Sequence, residues 1–166
     1  MKVFGFAGYS GSGKTTLIEQ LIPRFVMEGL KVSLIKHAHH GFEIDRPGKD
    51  SYRHREAGCT EVLLSSDRRW ILMHELRGEA ELKLEDLLAQ LAPCNIALVE
   101  GYKSNEIIPK LEVHRPAYGK PLLSPEHPNI VAVATDGPVE SALPLLDIND
   151  PDAIAEFIMR YLELKK

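Results

Sequence analysis

Near the start of the chain, Gly8-Tyr9-Ser10-Gly11-Ser12-Gly13-Lys14-Thr15 fits the pattern GxxxxGK[ST] at every fixed position. Residues of these types at this spacing bind phosphate chains. The glycines let successive backbone N–H groups turn inward around phosphate oxygens, and the positive end of a following helix adds to their pull. The Lys14 ammonium would reach the terminal phosphates, and the Thr15 hydroxyl would serve a magnesium ion. A chance match in a glycine-rich turn is the bland alternative, but the motif requires a strand before it and a helix after it. Both are predicted: Lys2 to Ala7 is a short apolar run, and from Lys14 onward Leu17, Ile18, Leu21, Ile22, Phe25 and Val26 mark one helical face. Lys14→Ala should therefore remove most triphosphate affinity.

A magnesium ion on a phosphate chain also calls for an acidic partner at a neighbouring strand end. Asp45 and Glu100 are the two candidates. Glu100 directly follows the apolar run Ile96–Val99, so its carboxylate should emerge at the carboxyl edge of the sheet, where open α/β folds bind ligands. A solvated strand-end charge is its plain alternative. Asp45 heads the tetrad Asp45-Arg46-Pro47-Gly48, a DxxG pattern that in nucleotide switches meets magnesium and the γ-phosphate. Four residues with two fixed also arise readily by chance. His37, His39 and His40 share one loop with His54 nearby, yet no cysteine or carboxylate completes a zinc spacing. Surface or phosphate-facing histidines fit that pattern better than a metal site. Lys36, Lys49, Arg53 and Arg55 make the same segment locally basic, which suits an anionic ligand or a solvated helix face. Asp136 ends the run Ile130–Thr135 and could accept from the N1–H and N2–H₂ donors of a guanine. It also fits a plain turn before Gly137-Pro138, and the NKxD sequence usual for guanine reading is absent.

The elements that must position these residues read as alternating strands and helices. The first strand and helix, with a second strand over Lys31 to Lys36, make a βαβ unit and imply a parallel sheet covered by helices. Pro23 could kink the first helix, and Gly29 sits where a left-handed cap would end it. A short helix is predicted over Lys49 to Ala57, two strands over 62–65 and 70–73, and a helix over Leu84 to Leu91. Further strands are expected at 95–99, 107–114, 130–134 and 145–148. The last helix has Asp150 as its N-cap and Pro151 at its first position, with Ile154, Phe157, Ile158, Tyr161 and Leu162 on one face. The expected fold class is α/β, a three-layer α/β/α sandwich around a mostly parallel sheet. The 166 residues show no internal repeat or linker, so a single nucleotide-binding domain over 1–166 is expected.

Composition excludes several classes. Twenty Lys+Arg against 24 Asp+Glu leave a net charge of -4, so no global basic field would drive binding to nucleic acid. No run of about 18 apolar residues predicts a membrane span. Neither a signal-peptide pattern nor a cysteine framework is evident, Cys59 and Cys94 being isolated, so a cytoplasmic setting is expected.

Taken together, GYSGSGKTTL, IKHAHHGFEIDRPGKDSYRHREAG, LVEGYK, PKLEVHR, AVATD and LLDINDPDAIAEF resemble the molybdopterin-guanine dinucleotide biosynthesis protein B (MobB) family of P-loop GTP-binding proteins. The resemblance covers nearly the whole chain. It implies a homodimeric adapter that binds GTP and magnesium, hydrolyses GTP weakly, and assists the guanylyltransferase that attaches GMP to molybdopterin. The implied nucleotide site maps onto Gly11, Gly13, Lys14, Thr15 and Thr16, with Gly8, Ser10 and Ser12 from the motif and Asp45 and Glu100 on the magnesium side. Lys14, Asp45 and Glu100 are then the candidate catalytic residues. Tyr9 stands where related dimeric ATPases carry an extra lysine, and no cationic finger supplied in cis is evident, which fits slow hydrolysis. The competing reading is an ATP-dependent small-molecule kinase with Asp45 or Glu100 as base.

Overall fold

The computed structural model describes residues 1–38, 41–102 and 105–164, so His39 and His40 of the histidine group lie outside the described residues. The chain forms two compact units, residues 1–37 with 84–166, and residues 38–83.

The first unit is built on a six-stranded sheet. Its strands are β1 (Lys2–Ala7), β2 (Val32–Lys36), β5 (Ile96–Glu100), β6 (Lys110–His114), β7 (Ile130–Thr135) and β8 (Leu145–Asp147), and its helices are α1 (Lys14–Met27), α3 (Leu84–Gln90) and α4 (Pro151–Tyr161). The strand order is β2-β5-β1-β6-β7-β8, and every neighbouring pair is parallel. This is the expected α/β architecture. Period-two alternation splits each strand between two faces. Phe4, Phe6, Leu98, Leu111, Val113 and Ala134 point to one side, where Leu17, Ile18, Leu21 and Phe25 of α1 and Ile154 and Ile158 of α4 cover them. On the other side Val99 packs with Leu84 of α3 and Ile108, flanked by Val3, Ile35 and Tyr102. Phe4, Phe6 and Phe25 are fully buried, and truncating any one to alanine would cost about 3–5 kcal/mol.

Local chemistry explains the element ends. Helix α1 runs without a break through the exposed Pro23, and Gly29 turns left-handed just past its end at φ 77°. Asp150 accepts from the Ala153 amide at 2.9 Å, the N-cap expected for α4. Strand β6 begins at Lys110 rather than at residue 107. Pro109 has no amide to donate to a ladder, and the Asn105 side chain accepts from the amides of Ile107 and Ile108, closing a turn there.

The second unit contains α2 (Asp50–Glu56) and an antiparallel hairpin, β3 (Glu61–Ser65) with β4 (Trp70–His74). Arg55 organises its interior. The guanidinium bonds Glu43 at 2.6 Å, Asp45 at 3.1 Å and Glu75 at 3.2 Å, and lies over the Tyr52 ring.

Candidate functional site

In the sheet order, β1 stands between β5 and β6, which the chain reaches only after crossing to β2. That makes the carboxyl end of β1 the topological switch point where open α/β sheets bind ligands. The loop Gly8–Gly13 leaves β1 there and runs into α1. Its glycines are dictated by space and by backbone angle. Gly8 has φ 146°, and a Cβ on it would lie 2.5 Å from the Val113 carbonyl oxygen; Gly13 has φ 99° and serves as the left-handed N-cap of α1. No side chain caps this helix and no acid occupies its first turn, so its leading N–H groups and positive end are left for an anion. Lys14 Nζ donates to the carbonyls of Gly8 and Tyr9, each at 2.9 Å, which places its ammonium on the loop. The Ser12 hydroxyl is buried within the loop without a hydrogen-bond partner. A cradle with no room for a Cβ, an orphaned hydroxyl and an uncapped helix start together fit a phosphate chain.

Thr15 and Glu100 are brought together. Thr15 Oγ1 donates to Glu100 Oε1 at 2.7 Å, although 85 residues separate them in sequence. The parallel registers explain why: Glu100 pairs with Phe6 on one side and with Lys36 on the other, so the last residue of β5 arrives level with the ends of β1 and β2. Lys36 Nζ lies 3.3 Å from Glu100 Oε2 and 3.3 Å from Thr15 Oγ1. A hydroxyl beside one nearly buried carboxylate is the sparse oxygen set that suits magnesium when phosphates supply further ligands. Among the described residues, no group of three or more histidine, cysteine, aspartate or glutamate side chains is placed to hold a metal by itself.

The remaining sequence candidates take other partners. Asp45 belongs to the second unit, and its carboxylate, nearly buried, is held by Arg55. His37 follows β2 and lies with its ring 4.8 Å from that of Tyr102, against Gly101, where a Cβ would come within 2.9 Å of His37 Cβ. Asp136 follows β7 and forms a short ion pair with Arg115.

Arg115 is the residue that sequence reasoning missed. Its Nε donates to the Ser12 carbonyl of the phosphate loop at 3.1 Å, and Tyr118, in the short 3-10 turn Pro116–Tyr118, donates its hydroxyl to the Gly11 carbonyl at 3.3 Å. Its position one residue past β6, the strand beside β1, was the available signal. The partners themselves stand more than 100 residues apart and leave no local pattern. Lys36, in sequence one member of a basic segment, stands at the end of β2, which puts it on Glu100.

Comparison with known proteins agrees with this architecture. Residues 3–136 match the family model described as "Molybdopterin guanine dinucleotide synthesis protein B". The chain is 46% identical over 164 residues to a molybdopterin-guanine dinucleotide biosynthesis adapter protein of Haemophilus influenzae, spanning 96% of this chain and 89% of that one. It is 39% identical over 166 residues to the Escherichia coli protein of the same description, spanning 97% and 93%. The crystal structure of a MobB protein homolog from Bacillus stearothermophilus superposes with a TM-score of 0.73 at 27% identity, over 99% of this chain and all of that one. A match across most of the chain, together with full-length relatives and the same fold, shows that the chain belongs to the molybdopterin guanine dinucleotide synthesis protein B (MobB) family.

Proposed function

We propose that the chain is an adapter protein of molybdopterin guanine dinucleotide biosynthesis that works with a bound guanine nucleotide, GTP with magnesium. The adapter role is supported by two relatives of that description matched over nearly their full length. The nucleotide half rests chiefly on one observation, the 2.7 Å approach of Thr15 Oγ1 to Glu100 Oε1 beside an uncapped helix start. Gly8, Ser10, Gly11, Ser12, Gly13, Lys14, Thr15 and Thr16 would hold the triphosphate through loop amides, the helix end and one ammonium. Thr15 and Glu100 would hold magnesium, with Asp45 as the second acidic candidate, and bound magnesium would neutralise phosphate charge. Asp136 would accept from the guanine edge.

Hydrolysis to GDP and phosphate is at most slow in this reading. The protein partner is the guanylyltransferase that attaches GMP to molybdopterin, and the chain pairs with a second copy of itself. Both cysteines are free thiols, as a reducing cytoplasm would keep them, and among the described residues no helix is long and apolar enough to cross a membrane.

Competition between GTP and ATP in the presence of magnesium tests the reading, on wild type and on Lys14→Ala. The expected result is preference for GTP and a loss of about 100-fold in affinity in the variant, equivalent to about 2.7 kcal/mol. Preference for ATP would overturn the guanine reading and direct attention to phosphoryl acceptors.

A further inference from the structure

We infer that Arg115 is a positioning residue that links the phosphate loop to Asp136, so that the phosphate end and the base end of the nucleotide site are held by one guanidinium. The inference rests on the nucleotide reading above and adds a residue to it.

The segment 113–118 lies along the outside of the phosphate loop. Gly8 approaches the Val113 carbonyl so closely that a Cβ would not fit, Tyr118 donates to the Gly11 carbonyl, and Arg115 Nε donates to that of Ser12. Gly13 leaves room for the guanidinium, since a Cβ there would sit 3.3 Å from its Nη2. The Ser12–Gly13 peptide is trans, which points the carbonyl oxygen of Ser12 and the N–H of Gly13 in opposite directions. A donor holding that carbonyl outward therefore turns the Gly13 N–H toward the inside of the loop, where an anion would receive it. The same guanidinium pairs with Asp136 through Nη1, and a Cβ on the next residue, Gly137, would touch the Pro116 ring at 3.4 Å.

Both ends of this link are hydrogen bonds to one planar fork, a geometry that arginine supplies and lysine does not. A carboxylate has acceptor sites enough for a guanidinium and a purine edge together. Seating a base on Asp136 thus bears on the group that orients Gly13.

The test is a double-mutant cycle on nucleotide affinity. GTP and GDP binding would be measured by calorimetry for wild type, Arg115→Ala, Asp136→Asn and the double variant, with Arg115→Lys as the charge-preserving control and thermal unfolding recorded for each. Each single substitution is expected to weaken both nucleotides about tenfold, with the double variant close to either single one. Arg115→Lys is expected to stay near Arg115→Ala. Losses that multiply in the double variant, or full rescue by lysine, would overturn the link while leaving the nucleotide reading intact. Folded single variants with wild-type affinity would overturn the link together with the guanine-edge role of Asp136, leaving the phosphate-loop part of the reading. A wild-type protein that binds no nucleotide would overturn both.

Discussion

At the scale of single residues, the carboxylate of Glu100 carries the most consequence. It is nearly buried, yet two dissimilar groups meet it, the hydroxyl of Thr15 and the half-exposed ammonium of Lys36. Lys36 Nζ, 3.3 Å away, is the cation paired with that carboxylate. Removing the Glu100 charge leaves an ammonium that can return to water, so the structural cost should be small, under about 1 kcal/mol. Glu100→Gln is accordingly expected to unfold at nearly the wild-type denaturant midpoint while losing about tenfold or more of the magnesium-dependent gain in nucleotide affinity. Asp45 should behave in the opposite way. Its carboxylate is held in the second unit by Arg55, which keeps Glu43 and Glu75 as further partners, so Asp45→Asn should cost about 1–3 kcal/mol of stability. Titrating both variants with nucleotide at several magnesium concentrations separates the two acids. Loss of magnesium dependence in Asp45→Asn alone would assign the role to that residue instead.

At the scale of elements, β6 is the strand that joins chemistry to architecture. One of its faces, Leu111 and Val113, belongs to the main core. The other carries Lys110, Glu112 and His114, all buried. Glu112 accepts from the amides of Leu123 and Ser124 at 2.7 and 2.9 Å, and Lys110 donates to the carbonyls of Tyr102 and Asn105, so each charged side chain fastens a crossing loop. Gly5 makes this possible for Lys110, because a Cβ on β1 there would lie 2.8 Å from the lysine stem. Burial pushes the Lys110 ammonium down to about 8, against a smaller opposing pull from Glu106. Because the folded value lies below the unfolded one, the unfolded chain binds the extra proton between about pH 8 and pH 10, and unfolding free energy rises with pH in that window. Chemical denaturation at pH 7.5 and pH 9.5 should show that rise in wild type and a weaker one in Lys110→Met. Equal pH dependence in both would mean that Lys110 stays charged at the higher pH.

At the scale of the whole molecule, the two units are built on different principles. The sheet unit holds all the buried apolar residues among those described. Among the described residues of the second unit only Ser51 is buried, while Leu63, Leu64, Trp70 and Leu72 of the hairpin are exposed. A two-stranded hairpin with an ion-pair hub lacks the apolar burial that gives independent stability. Trp70 is the sole tryptophan of the chain and lies in the hairpin of that unit, 69% exposed, so its emission reports on that hairpin. With rising denaturant, tryptophan emission is expected to change at a lower concentration than the far-ultraviolet dichroism, which is dominated by the helices of the first unit. Coincident transitions would show instead that the two units unfold as one.

What the sequence by itself determined was everything carried by local pattern. The glycine spacing announced the loop, the shift from an apolar run to helical period announced β1 and α1, and Asp150-Pro151 announced the start of α4. The turn at 66–69 between apolar runs announced the hairpin. The family resemblance, resting on segments spread over the chain, extended that local reading to a fold and a role, and the family match agrees with it. Tertiary structure alone decided which distant side chains meet. Register in a parallel sheet is set by crossover helices and by packing on both faces, so it leaves no trace at short spacing. That register brings Glu100 rather than another strand-end acid to Thr15, and sets Lys36 beside it. It also carries Arg115 from the end of β6 to the Ser12 carbonyl, a contact across 103 positions that no local reading of the chain could reach.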